Sequence, residues 1–268
     1  WSSGGTIGPV IGGWLFEINP VLPLAGAVAA VALSLMILAF GRDGSILKNP
    51  AASPVVGEKE TLYAPRLLAD CRWLSRVFLF CACVSYAVIR SQFALIFRGL
   101  GYTESQFGLY LTIYALCNFL ALVAAGGWAR WHFKPGLLVV GQSVLLVTVL
   151  MTIYGRYLSV LFASSILLGA AYGFAYSSHL YYGALGSTRR SGRMAIHEIV
   201  ISLGLTVGSA AGGYLCDHVG LYAPYWFAVG VIVLGIASQV TIHGGTRAKM
   251  RRSVSGPTCG NVDIASPS

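Results

Sequence analysis

Charge is scarce in this chain: Asp, Glu, Lys and Arg together make up 10% of its 268 residues, against about 25% in a soluble domain. Hydrophobic residues take the place of charge, at 56%. So little charge cannot clothe a water-exposed surface, which excludes an ordinary soluble enzyme or nucleic-acid-binding domain and leaves lipid as the solvent. No methionine precedes Trp1, and no charged n-region with a short apolar core and an A-x-A site follows it, so the start does not read as a secretory signal. The six cysteines contain no C-x-x-C pair, and four of them lie in or at the edge of apolar runs, where they read as packing residues rather than disulfide or metal partners. "HEIVI" at His197 begins like a zinc-protease helix, but H-E-x-x-H needs histidine at position 201, which is Ile201. A G-x-S-x-G elbow and a phosphate-binding loop are both missing, as are the ring of like charges and the filter loop of a channel. The sequence therefore predicts no catalytic residues, no metal and no cofactor.

Long apolar runs are what the chain has instead. A bilayer needs about 20 mainly apolar residues per helix, and the segments 21–40, 77–97, 107–127, 136–154, 158–182 and 223–242 meet that length. A seventh, 195–216, is glycine-rich but equally apolar beyond Glu198, and the opening stretch up to Phe16 reads as the end of an eighth. Of the eighteen Lys and Arg residues, fifteen fall on one side of this arrangement: in the connection 41–76, at Arg130 and Lys134, at Arg189, Arg190 and Arg193, and in the tail. The positive-inside rule places that side, and the C-terminus, in the cytoplasm. The net charge of +9 is then a topology signal, with attraction to anionic headgroups as its by-product, and calls for no nucleic acid.

"GGTIGPVIGGWL" (4–15) returns two hundred residues later as "GLTVGSAAGGYL" (204–215). Gly4, Gly8, Gly12 and Gly13 match Gly204, Gly208, Gly212 and Gly213, while Pro9 gives way to Ser209. Glycines four apart share a helical face and let a neighbouring helix approach closely in the membrane, and Pro9 removes one backbone donor. Both copies enter the membrane from the same side with six spans between them, the offset expected of parallel repeats in a two-bundle transporter.

The pattern G-x-x-x-G-P-x-x-G-G, complete at Gly4, Gly8, Pro9, Gly12 and Gly13, resembles the fifth-helix motif of the major facilitator superfamily, and "GGYLCDHVGLYAPYWF" resembles that family's passage from helix eleven to helix twelve. The resemblance covers residues 1–242 and implies an all-α membrane protein: the six-helix C-terminal bundle of a major facilitator fold, with helix 6 and the end of helix 5, about four and a half helices lying before Trp1. It divides the chain into 1–40 (end of the N-terminal bundle), 41–76 (cytoplasmic linker), 77–242 (C-terminal bundle) and 243–268 (cytoplasmic tail). One departure stands out. Where the family often carries G-x-x-x-D-R-x-G-R after helix eight, "GGWARWHFK" has Arg130 in place of the acid and Phe133 in place of the last glycine, which puts a charge relay in that loop in doubt.

"PRLLADCRWLSR" places Leu67, Leu68, Cys71 and Leu74 on one helical face, predicting a short helix on the membrane surface that opens at Pro65. Chemistry is sought where polar groups enter lipid, because an unpaired one there is costly and is turned toward a cavity. Four stripes qualify: Tyr86 with Arg90; Tyr110, Tyr114 and Asn118; Ser165, Gly169, Tyr172, Tyr176 and His179; and Glu198, Ser202, Thr206 and Ser209. Arg90 could equally snorkel to the headgroups, the tyrosines sit in an interfacial belt, and Glu198 pair with Arg190 or Arg193. The helices that carry the stripes are those the resemblance turns toward the central pathway. The expected substrate pathway is thus Tyr86, Arg90, Tyr114, Asn118, Tyr172, Tyr176, Ser202 and Thr206, with His179 and Glu198 as coupling candidates. The whole reads as a fragment of a secondary active transporter moving a small solute by alternating access in a bacterial inner membrane, with the motif leaning toward proton-coupled export. The alternative is a non-transporting sensor or scaffold on the same fold. Its expected partners are the bilayer, a small-molecule substrate, a coupling proton and the N-terminal helices of the same protein.

Overall fold

In the computed structural model, residues 2–40, 65–186 and 190–254 are described; most of the linker, Arg189 and the end of the tail lie outside the described residues. Eight α-helices account for nearly all of them: α1 (Ser2–Ile18), α2 (Leu22–Phe40), α3 (Pro65–Gly99), α4 (Glu104–Gly127), α5 (Pro135–Tyr154), α6 (Leu158–Ala184), α7 (Arg190–His218) and α8 (Ala223–Val254). Six of these, α3 to α8, are long and apolar enough to cross a membrane. Short connections make consecutive helices antiparallel, so the bundle has a basic end, carrying Arg72, Arg76, Arg130 and Arg193, and an opposite end, carrying Ile18, Gly99 and Glu104. The surface between the ends is apolar, with Val28, Leu120, Val123, Val147 and Leu234 all exposed, which inverts the soluble pattern and suits hydrocarbon.

The centre of the bundle is α3, which touches each of α4 to α8 and buries Leu74, Phe78, Leu79 and the run Cys81 to Val84. Its 35 residues span about 52 Å at 1.5 Å per residue, well beyond the roughly 30 Å of hydrocarbon. The expected surface helix is not separate. Pro65 opens α3 itself, where a proline costs nothing, and no breaker follows it. The face of Leu67, Leu68, Cys71 and Leu74 lies against the bundle, with Cys71 and Leu74 buried. The residue-76 boundary therefore falls inside α3, and the boundary at 242 falls inside α8, which continues to Val254. Arg72, in this first part of α3, donates from Nε to the Tyr182 carbonyl (2.9 Å) and from Nη2 to the Leu185 carbonyl (2.5 Å), satisfying acceptors that the end of α6 would otherwise leave unpaired.

Glycine sets the closest helix approaches. A β-carbon at Gly208 would stand 2.6 Å from the Val84 carbonyl oxygen and 2.8 Å from the Ala87 β-carbon, and one at Gly204 would stand 2.6 Å from the Cys83 β-carbon. These two residues let α7 lie directly on α3. Gly173 does the same for α6 on α4, with the Asn118 carbonyl oxygen 2.6 Å from where its β-carbon would be, and Gly169 meets the Tyr114 carbonyl. In the first glycine copy the pattern differs. Gly8 and Gly12 have nothing within 4 Å of a β-carbon, whereas Gly13 would meet the Glu104 carbonyl oxygen at 2.8 Å, and Gly108 on α4 meets the Pro9 carbonyl. Gly212 and Gly213 make only ordinary contacts, and the surroundings of Gly4 lie outside the described residues. Close packing thus rests on Gly13 in one copy and on Gly204 and Gly208 in the other, rather than on the same positions in both.

At the opposite end, α1 also meets α4 through a polar contact. Thr103 and Gln106 form a reciprocal capping box at the start of α4, and the Glu17 carboxylate accepts the Ser105 backbone N–H at 2.8 Å. That N–H holds the Glu17 carboxyl below the usual carboxylate range. A depressed carboxylate contributes to the contact at neutral pH and ceases to do so as the pH falls through its lowered value. Replacing Glu17 with alanine, or acidifying the wild type, is expected to lower hydrogen-exchange protection of the Ser105 amide while leaving amides in the middle of α4 unchanged. Unaltered protection in both cases would show that the carboxylate does not hold the helix end.

Candidate functional site

Between α1, α3, α4, α6 and α7 lies a cavity of about 870 Å³, within the range of roughly 300–1,000 Å³ occupied by small-molecule sites. Each wall follows from helical spacing. Tyr86 and Arg90 are one turn apart on α3, Tyr114 and Asn118 one turn apart on α4, and Tyr172 and Tyr176 one turn apart on α6, and all six line the cavity. The rim of α7 is formed by Glu198, Ile201 and Leu205, and α1 contributes Gly8 and Pro9.

The three tyrosines at its centre are in mutual contact. The Tyr86 and Tyr114 rings stack with centroids 4.7 Å apart and planes 18° apart, Tyr172 lies 5.4 Å from Tyr86 at 56°, and Tyr114 meets Tyr172 edge-on at 5.9 Å. Arg90 donates from Nη1 to the Tyr86 hydroxyl at 3.2 Å, and its guanidinium carbon lies 5.9 Å from that ring's centroid. Arg90 is exposed in this structure, so its charge faces the cavity with Tyr86 orienting it. Asn118 lines the cavity as well, but its side-chain oxygen is buried toward the α4–α6 contact and has no hydrogen-bond partner. Along the cavity, the charge of Arg90 lies toward the opposite end and the carboxylate of Glu198 toward the basic end, with the aromatic trio between them. This combination of stacking surfaces, one cation and one anion can hold an amphipathic small molecule in a defined orientation.

Two expected pathway residues lie elsewhere. Ser202 and Thr206 are exposed on α7 and are not among the side chains lining the cavity. The cavity face of α7 runs Glu198, Ile201, Leu205, a spacing of three and four, and the 198–202–206 line drifts off it because an exact four-residue step overshoots the 3.6-residue turn. Tyr110, on the same stripe as Tyr114, is wholly buried among Phe93, Phe97 and Phe107 near the opposite end and belongs to the core. Ser165 likewise packs α6 onto α4, its hydroxyl donating to the Tyr110 carbonyl at 2.5 Å.

His179 is outside the cavity. It lines a small cleft at the basic end with Arg72, Ser75, Arg76 and Arg193, and its Nδ1 lies 2.7 Å from the Nδ1 of His197. In the sequence His197 carries no signal beyond the incomplete H-E-x-x-H pattern. Its partner sits 18 positions away on another helix, a pairing that no periodicity within one helix can reveal. Its ring also meets Tyr176 edge-on at 4.7 Å, which joins the histidine pair to the wall of the cavity.

In the connection between α4 and α5, Phe133 adopts φ +56°, the left-handed conformation that glycine takes without cost. This is the position at which the sequence has phenylalanine where the related loop pattern has glycine. Its N–H donates to the Tyr182 hydroxyl at 2.9 Å, and neighbouring Trp131 is buried with its indole N–H on the Ala125 carbonyl at 3.0 Å. The loop is held by aromatic packing and these hydrogen bonds.

Comparison with known proteins agrees with the architecture. Multidrug resistance protein 1 of Bacillus subtilis (strain 168) is 25% identical over 247 residues, covering 89% of this chain and 61% of that protein. Multidrug resistance protein 2 of the same organism is 24% identical over 140 residues, covering 52% of this chain and 35% of that protein. The chain thus spans less than two thirds of the length of these relatives. A family model described as Major Facilitator Superfamily matches residues 77–250, which are α3 to α8 almost from end to end. With its six apolar helices and that match, the chain is a multi-pass integral membrane protein and belongs to the Major Facilitator Superfamily.

Proposed function

We propose that the chain forms the C-terminal half, with the end of the N-terminal half, of a secondary active transporter that moves a small amphipathic solute by alternating access. We take the direction to be proton-coupled export from a bacterial cytoplasm, with the basic end and the C-terminus on the cytoplasmic side. The observation that carries the reading is the cavity: six side chains picked out on three helices from polar stripes at membrane depth converge on one space large enough for a solute. The names of the two relatives, both multidrug resistance proteins, support a solute of drug-like chemistry, and the fifteen Lys and Arg residues on one side support the orientation. Ser202 and Thr206 drop out of the proposed pathway, which becomes Tyr86, Arg90, Tyr114, Asn118, Tyr172 and Tyr176, with Glu198 at its cytoplasmic rim.

Single cysteines at Arg90, Asn118, Tyr172 and Tyr176, in a full-length background without native cysteines, are expected to react with a water-soluble thiol reagent, and ethidium is expected to slow the reaction. Uniform protection at all four positions would remove the pathway. A sensor or scaffold would bind ethidium at the same residues yet show no pH-driven accumulation in proteoliposomes, which separates the two readings.

A further inference from the structure

Five titratable or charged groups surround the contact between α6 and α7 at the basic end without belonging to the cavity. From α3 come Arg72 and Arg76; from α7 come Arg193 and His197; from α6 comes His179. The two imidazoles are 3% and 2% exposed, their Nδ1 atoms are 2.7 Å apart, and their rings lie 27° from parallel with centroids 4.9 Å apart. Two nitrogens at that distance require one N–H and one lone pair, so the pair shares a single proton. Its two outer faces point to different parts of the bundle. His179 lines the arginine cleft, while His197 touches Tyr176, a cavity residue, and precedes Glu198, another. The Nε2 of His197 is buried and has no hydrogen-bond partner, although a buried polar atom is rarely left unpaired.

We propose that His179 and His197 form a proton relay connecting the large cavity to the basic end of the bundle. The inference rests on the transport reading above. When the cavity wall beside Tyr176 opens to water, a proton leaving the Glu198 carboxyl, or a hydronium from the cavity, forms the Nε2–H bond of His197 and makes that ring imidazolium. The Nδ1–H bond of His197 then breaks as an Nδ1–H bond forms on His179. The cleft of Arg72, Arg76 and Arg193 is closed to water in this structure; once it widens and water enters, His179, now imidazolium, releases its Nε2 proton to that water. One proton has crossed, and both rings are neutral again. The three arginines raise the free energy of an imidazolium beside them, so the charge passes on instead of resting on His179.

The chemistry also limits the relay to one proton at a time. After the transfer His197 carries its hydrogen on Nε2 and His179 on Nδ1, so the shared hydrogen bond points the other way. Another proton cannot follow in the same direction until both rings exchange tautomers through water. At 2.7 Å, and with both rings buried, that exchange requires the α6–α7 contact to open. Passage of the proton is thereby tied to a movement of the two helices, and a continuous leak is blocked.

Two experiments test the relay. Nitrogen-15 spectra of histidine-labelled chain in lipid bilayers should show scalar coupling between the two Nδ1 atoms through the shared proton, lost alike in His179→Gln and His197→Gln. Absence of that coupling in the wild type overturns the pair. In proteoliposomes of the full-length protein, ethidium accumulation driven by a pH gradient is compared with ethidium exchange at equal pH on both sides. Glutamine fills the site but cannot accept and release a proton, so the ratio of driven to exchange transport should fall at least about a hundredfold in either variant, the lower end of the loss for a proton-transfer group. An unchanged ratio overturns the relay and leaves transport standing. Failure of the wild type to move ethidium in both assays overturns the transport reading instead.

Discussion

Leucine at position 208 is expected to reduce the yield of folded protein sharply, while leucine at position 8 leaves the yield near that of wild type and abolishes transport. The two glycines occupy matching positions of the repeated sequence, so sequence alone predicts equal effects. The structure separates them. A side chain at Gly208 must displace the Val84 backbone carbonyl, 2.6 Å from its β-carbon, and the Ala87 β-carbon at 2.8 Å. Neither can swing aside, because both belong to the buried central helix. Overpacking of this kind costs about 1–3 kcal/mol and at times more, a large share of a marginal stability. A β-carbon at Gly8 meets nothing within 4 Å, and a side chain built on it enters the cavity that Gly8 lines. Monodisperse yield after size-exclusion chromatography, thermal melting and ethidium transport, measured on both variants and on Gly208→Ala, check the contrast. Equal loss of folded protein in both leucine variants would mean that Gly8 is also a packing contact in the complete protein.

Removing the Tyr86 ring is expected to weaken ethidium binding by about tenfold to a hundredfold. Tyr86 stacks on Tyr114 and leans on Tyr172, and its hydroxyl accepts from Arg90. Aromatic contacts are worth about 0.5–1.5 kcal/mol each beyond the area they bury, and each 1.4 kcal/mol is tenfold in affinity. Tyr86→Ala loses both ring contacts and releases the guanidinium. Tyr86→Phe keeps the stack and loses only the hydroxyl, so a loss of about threefold is expected, toward the low end of a hydrogen bond's net worth. Fluorescence titration of the full-length protein measures both. Wild-type affinity in Tyr86→Ala would make the trio a packing element with no part in recognition.

Hydrophobic run length was enough to place α3 to α8, because mainly apolar stretches of about 20 residues are what a bilayer demands. Where α3 begins was harder to read. A proline and a stripe of Leu67, Leu68, Cys71 and Leu74 mark a helix start and an amphipathic face, yet the partner of that face is the end of α6, which only the tertiary structure reveals. The cavity residues of α3, α4 and α6 were legible from polar side chains one turn apart at membrane depth. On α7 the same rule failed beyond Glu198, since the cavity face there is completed by apolar Ile201 and Leu205, which carry no signal among other apolar residues. His197 was missed for a related reason: its role depends on His179, and contact between helices leaves no pattern along either one.

The seat of α1 on α4 also has a mechanical consequence. Pro9, Gly13 and Glu17 meet Gly108, Glu104 and Ser105 over nearly the last three turns of α1, and those turns lie beside the first residues of α4. Close approach of the two backbones at Gly13 and Gly108, with the Glu17 carboxylate on the Ser105 N–H as a polar side-chain tie, gives a narrow bearing that can serve as a fulcrum. The 24 residues of α4 extend about 36 Å from that point, and a rigid rotation of about 15° swings the far end through about 9 Å. Under the proposed rocking, displacement is smallest where Gly13 and Gly108 touch and largest at the basic end, beside the cleft of Arg72, Arg76 and His179. A short leverage arm at one face of the membrane and a long one at the other makes the histidine pair the place where a small turn at the glycines becomes a gap wide enough for water.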